Sequence, residues 1–231
     1  MKKIGLIGGI GPESTVSYYR QIVEGVKGRM GHEVLPRLSI ETLNAFNVFS
    51  LCKQKRFDDL ANYVLEAINC LAAAGAEYAA LTGNTPNVVL DQLQARTPIP
   101  LISAVDATLA VAQVRGAKTV GLLGTAFTMT NTFFKTPFEA AGIEIVCPDT
   151  DQISYIQDRI EAELEHGVVT DKTREGFVQI IRSLKEHHSI DQIILGCTEL
   201  PLLLNDGNSP VQCLDTVEIH VAAMVDVISE A

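Results

Sequence analysis

The sequence predicts an α/β protein made of two similar three-layer lobes, each a parallel sheet covered by helices. Three observations point there. Short apolar runs alternate with helix-length segments through all 231 residues, the pattern of parallel strands buried on both faces. The strand-to-helix corners share one polarity, with glycine or threonine following the strand. And the chain repeats itself at offsets of 114 to 116 residues, with one looser match at 109.

The repeat is visible in four places. Lys3-Ile4-Gly5-Leu6-Ile7-Gly8-Gly9 matches Thr119-Val120-Gly121-Leu122-Leu123-Gly124-Thr125. Tyr18-Tyr19-Arg20 finds an echo in Phe133-Phe134-Lys135, and Asp106-Ala107-Thr108 a looser one in Asp215-Thr216-Val217. Ala79-Ala80-Leu81-Thr82-Gly83-Asn84-Thr85-Pro86 has the form of Ile193-Ile194-Leu195-Gly196-Cys197-Thr198-Glu199-Leu200-Pro201, with Gly83 opposite Cys197. A self-similarity spanning half the chain implies two related lobes. They are read as 1–104 with the helix 216–231, and 105–215, related by a pseudo-two-fold axis with the active site in the cleft between them.

Taken in order, residues 4–7 form a buried strand, and Gly8 to Gly11 turn into a helix opened by Pro12 and Glu13. Strand 38–42 follows, then a polar-aromatic connection over 44–50 and a helix over 56–74. Strand 78–81 leads to the Gly83 corner and a helix through 94. Thr97-Pro98-Ile99-Pro100 breaks that helix before strand 101–103 and helix 106–115. The second lobe begins with strand 118–123 and a helix near 129–141. Strand 143–146, helices near 154–166 and 171–187, the Cys197 corner, strand 211–214 and a helix from 216 complete it.

Composition excludes several classes. With a formal charge of −10 and no basic cluster, the chain offers no phosphate-tracking surface, so neither nucleic acid nor an anionic membrane is an expected partner. No apolar run approaches the roughly 18 residues of a membrane span. The opening apolar stretch is too short for a signal peptide, so a cytoplasmic location is expected. Five scattered cysteines without a CxxC pair suggest neither disulfides nor a metal site. Gly9 and Gly11 lack the third glycine of a dinucleotide loop, Ser14 standing in its place. They are expected to line the substrate cleft.

The corner residues carry the chemistry. Cys197 follows a strand and precedes a proline-opened turn, where free amides and a helix dipole favour a thiolate. Asn84, Thr85 and Thr198 are placed either to cap helices or, with neighbouring backbone amides, to bind a carboxylate. Thr125 and Thr128 line the cleft from the second lobe. Glu199 either complements the helix dipole or orients the thiol, and Thr82, beside Gly83, is a candidate to place a water. His220 reads as a structural histidine.

These motifs resemble the aspartate/glutamate racemase family across essentially the whole chain. Lys3-Ile4-Gly5-Leu6-Ile7-Gly8-Gly9 with Gly11-Pro12-Glu13-Ser14-Thr15 is similar to the family's opening signature, Gly196-Cys197-Thr198-Glu199 to its second cysteine motif, and Asn84-Thr85 to the tail of the first. The resemblance implies a cofactor-free isomerase in which two cysteines flank the α-carbon of aspartate or glutamate, commonly as a homodimer. This chain departs from that pattern. Gly83 stands where the first cysteine belongs, Asn87 where a histidine is usual, and Asn47 and Val48 where an acidic-arginine pair is common. The resemblance therefore implies Cys197 as a lone acid/base. A cofactor-free decarboxylase or isomerase of a small dicarboxylate, and an inactive amino-acid-binding homologue, are the alternatives. Gly83 itself has two explanations: a turn that needs positive φ, or a position empty of its acid that Gly83→Cys would refill.

Overall fold

The computed structural model describes residues 1–230. It contains two four-stranded parallel sheets of identical topology. The first comprises β1 (Ile4–Gly8), β2 (Leu38–Thr42), β3 (Tyr78–Leu81) and β4 (Leu101–Ile102), in the order β2-β1-β3-β4. The second comprises β5 (Thr119–Leu123), β6 (Glu144–Val146), β7 (Gln192–Leu195) and β8 (Gln212–Asp215), in the order β6-β5-β7-β8. Register repeats as well: Ile7 pairs with Leu81 in one sheet, and Leu123 with Leu195 in the other. Gly83 and Cys197 thus lie two residues beyond equivalent strand ends. The chain divides into two compact units, Met1–Ala107 together with the chain from Val217 onward, and Thr108–Thr216.

In the first unit, α1 (Pro12–Met30) opens with Pro12, whose fixed φ and missing N–H suit the first turn, while Glu13 near its start and Lys27 and Arg29 near its end complement the helix dipole. Its buried stripe of Tyr18, Ile22 and Val26 packs with Ile4, Leu6 and Ala80 of the sheet. That same core contains Val217, Val221, Met224, Val225 and Ile228 of α10 (Thr216–Ser229). Each such side chain, fully buried, contributes about 1.5–3 kcal/mol, so α10 is a principal wall of this core. Helix α3 (Phe57–Ala73) buries Leu60, Val64, Ile68 and Leu71.

His220 on α10 is fully buried between Tyr18 and Ile102. A carbonyl only accepts, so Nε2–H donates to the Ile102 oxygen at 2.8 Å and Nδ1 accepts from the Tyr18 hydroxyl at 3.1 Å. The ring is therefore neutral, and burial pulls its pKa from 6.5 down to about 4. The unfolded chain takes up this proton first, so its contribution is complete above pH 6.5 and is lost as the pH falls toward 4. Chemical unfolding should show about 3 kcal/mol lost over that interval, and His220→Gln should flatten that part of the profile.

Segments of both units differ from the sequence expectation. The polar-aromatic connection after β2 is a helix, α2 (Ala45–Lys53), capped by Asn44, whose side chain accepts from the Phe46 N–H at 2.9 Å. The single helix expected near 129–141 is two short ones, α6 (Ala126–Thr130) and, later, α7 (Lys135–Ala140). Pro137 explains the break. It cannot donate to residue 133, and its ring would clash with that carbonyl in a continuous helix, whereas in the first turn of α7 its missing N–H costs nothing. Helices α4 (Leu90–Arg96) and α5 (Ala104–Val114) flank β4 in sequence. In the second unit α8 (Thr150–Ala162) starts at an Asp149–Gln152 capping box, and α9 (Asp171–His188) at Thr170. Among the described residues no helix is long and apolar enough to cross a membrane, and no cluster of ligating side chains could hold a metal ion.

Candidate active site

Cys197 sits just beyond β7, whose end is fixed from both sides. The Gly196 N–H donates to the Leu123 carbonyl at 2.7 Å, and the Thr216 hydroxyl to the Leu195 carbonyl at 2.8 Å. The segment after Cys197 is not the helix that the sequence suggested but a three-residue 3₁₀ turn, Leu200–Leu202, closed by Leu200 N–H donating to the Cys197 carbonyl at 3.1 Å. Thr198 does not cap it. Its hydroxyl donates instead to Glu199 Oε1 at 2.8 Å, while Cys197 Sγ–H donates to Glu199 Oε2 at 2.9 Å.

This reverses the expected electrostatics of the thiol. A helix dipole would have favoured thiolate, but three residues of 3₁₀ turn supply little dipole. Burial comes first, then the charge of Glu199 and a smaller effect of Glu165, and together they push the Cys197 thiol well above its ordinary value. The resting group is a protonated thiol aimed at a carboxylate. It is a proton donor as it stands, and becomes a base once Glu199 takes its proton.

The equivalent corner in the first unit is closed differently. Gly83 does not have a positive φ, so the turn does not require glycine for its backbone angles. A Cβ at 83 would instead lie 2.6 Å from the Ile10 carbonyl oxygen. The position is filled by backbone rather than vacant. Asn87, in the place of the family's usual histidine, is buried and donates to the Asn84 carbonyl at 3.0 Å and the Gly83 carbonyl at 3.4 Å. It pins the 3₁₀ turn Thr85–Val89. The Thr82 hydroxyl is fully buried, donating to the Ile7 carbonyl at 3.1 Å and lying 3.1 Å from the Thr15 hydroxyl. It ties strand ends together.

Gly9, with φ +83°, lies against the Leu43 backbone at the end of β2, where a Cβ would meet the Leu43 oxygen at 2.2 Å. Gly11 is the residue before α1 and caps it without a side chain. In the second unit Thr125 caps α6 by accepting from the Thr128 N–H at 3.3 Å, and the two hydroxyls are 3.1 Å apart. Thr128 is buried beneath Gly124 and Gly196. Val48 is a core residue of α2. Within the second unit, then, the structure brings Cys197, Thr198 and Glu199 into one hydrogen-bonded group. Sequence reasoning missed two features: the Ile10 carbonyl against Gly83, and Glu165, which follows α8 in a charged stretch that reads as solvated surface.

The Asp/Glu/Hydantoin racemase family profile matches residues 7–224. The chain is similar, at TM-score 0.92 and 32% identity with both chains fully covered, to the crystal structure of a Yersinia pestis protein provisionally named an Asp/Glu racemase. It is likewise similar to an aspartate racemase homologue from Pyrococcus horikoshii OT3, at TM-score 0.86, 36% identity and full coverage of both. Among curated proteins it is 34% identical to the glutamate racemase of Haemophilus ducreyi over 120 residues, 50% of this chain and 42% of that one. The chain thus spans less than half the length of that relative. It is 21% identical to the broad specificity amino-acid racemase RacX of Bacillus subtilis over 92% of each. Two sheets of one topology, a repeated corner and a cysteine held by Glu199 are accounted for together: the chain belongs to the Asp/Glu/hydantoin racemase family.

Proposed function

We propose that the protein is a cofactor-independent amino-acid racemase in which Cys197 is the single thiol acid/base. The observation that carries this reading is the Sγ–H to Glu199 hydrogen bond at 2.9 Å. In the abstracting direction Glu199 Oε2 accepts the Sγ proton, leaving a neutral carboxyl and a thiolate. The thiolate then takes the α-proton, and the electron pair moves into the adjoining carboxylate as an enolate. Gly83, the repeat's equivalent of Cys197, carries no side chain, so return of a proton falls to water. A relative named glutamate racemase and one described as an aspartate racemase homologue make those two amino acids the first substrates to test. Cytoplasmic location and a homodimer belong to the same reading.

A second reading has its own support. A resting thiol that holds its proton suits delivery of one proton to an enolate formed by decarboxylation of a small dicarboxylate. Proton NMR in deuterated water separates them. A racemase washes out the α-proton of an amino acid and inverts it toward an equilibrium constant of one. A decarboxylase leaves amino acids untouched and yields a deuterated monoacid. With a lone thiol, exchange should be much faster from one enantiomer than from the other. Equal rates from both would reveal a second acid and remove the single-thiol mechanism.

A further inference from the structure

Both oxygens of the Glu199 carboxylate are taken up by the two residues before it. Oε2 accepts from Cys197 Sγ–H at 2.9 Å, and Oε1 from the Thr198 hydroxyl at 2.8 Å. The backbone beneath them is pinned separately. Gly196 N–H donates to the Leu123 carbonyl at 2.7 Å, Leu200 N–H to the Cys197 carbonyl at 3.1 Å, and Leu202 N–H to the Glu199 carbonyl at 3.1 Å. With the main chain held, side-chain torsions alone decide which way the carboxylate faces. Glu199 is half-buried, and left free to turn it would carry its charge toward water and away from sulfur. The Thr198 hydroxyl opposes that rotation. It has one proton to give, and gives it to Oε1.

We propose that Thr198 is a positioning residue, whose hydroxyl keeps Glu199 ionised and turned so that Oε2 stays on the Cys197 thiol as a fixed acceptor for its proton. The proposal rests on the reading of Cys197 as the reacting group, and it deepens that reading by giving Thr198 to Glu199 rather than to the substrate. A hydrogen bond donated to a carboxylate favours its charged form. The charges that face the thiol are Glu199 in its own turn and Glu165 in the turn after α8, both negative and both holding the proton on sulfur. Without the Thr198 hydroxyl, Glu199 either swings away or takes up a proton itself. Both outcomes make Cys197 easier to ionise, and both deprive it of a placed proton acceptor.

Iodoacetamide labelling of Cys197 in the full chain, followed against pH by peptide mass spectrometry, reads the thiol without requiring turnover. Thr198→Val keeps the shape and removes the hydroxyl. Its labelling rate should level off at a lower pH than that of the wild type and be at least about threefold higher near neutrality. Exchange of the α-proton should move the opposite way, with kcat lower by about tenfold or more and KM within about twofold. Thr198→Ala, which adds no bulk, should match Thr198→Val, and Thr198→Ser should restore both profiles. Labelling raised by one factor at every pH would report a loosened corner, and an unchanged profile an idle hydroxyl. A raised KM with kcat intact would report contact with substrate. Each of these three overturns the proposal. If the wild type exchanges no α-proton of aspartate or glutamate, the racemase reading falls alone, and the labelling profile still decides the role of Thr198.

Discussion

Cys197→Ser should retain the fold and lose at least about a hundredfold in α-proton exchange, the lower end of what a placed acid/base contributes. Serine preserves the hydrogen bond to Glu199, at 2.9 Å from sulfur in the native protein, but its hydroxyl is far less acidic. Cys197→Ala removes both and should fall at least as far. Iodoacetamide provides a second check. Because the buried thiol keeps its proton beside Glu199, alkylation should be slow at neutral pH, rise with pH, and track the loss of activity. Full exchange activity in Cys197→Ala would exclude Cys197 from the reaction.

Gly83→Cys tests the equivalent corner of the first unit, and its expected outcome is set by the Ile10 carbonyl. The sequence left open that a cysteine would restore a two-thiol site. With an oxygen of the backbone 2.6 Å from the new Cβ, even Gly83→Ala must displace the Gly9–Gly11 turn. Overpacking of this kind costs typically about 1–3 kcal/mol, visible as a lowered denaturant midpoint. Gly83→Cys should be destabilised similarly and show no new racemisation. A Gly83→Cys protein as stable as wild type whose racemisation of aspartate or glutamate rose by about tenfold or more would mean that the turn yields easily and that the acid is merely missing.

What the sequence made legible follows from range. Strands β1, β2 and β3 and both corners were readable because apolar runs bounded by turn residues are local signals. Helix α2 was not, because Phe46 and Phe49 are exposed and blur the apolar periodicity, leaving the Asn44 cap as the one clear mark. The break at Pro137 was written in the chain but outweighed by aromatic residues on either side. The corner was found while its charge was misjudged. A proline-opened turn looks alike whether three or ten residues follow, and only the fold aims the Glu199 carboxylate at sulfur. The reason for Gly83 lies 73 residues away in Ile10, beyond any local pattern.

The first unit's core contains side chains from Ile4 to Ile228, and this governs the order of events at the ribosome. Sheet β1–β4 is complete in sequence by Ile102, yet the wall supplied by Val217, Val221, Met224 and Ile228 is translated after the whole of Thr108–Thr216. The nascent amino-terminal half must therefore wait, with an apolar sheet face uncovered, while the second half is made. The second unit has no such debt and can close first. Vectorial synthesis thus runs against the order in which the two cores can be finished, and the exposed interval is when this chain is most open to aggregation.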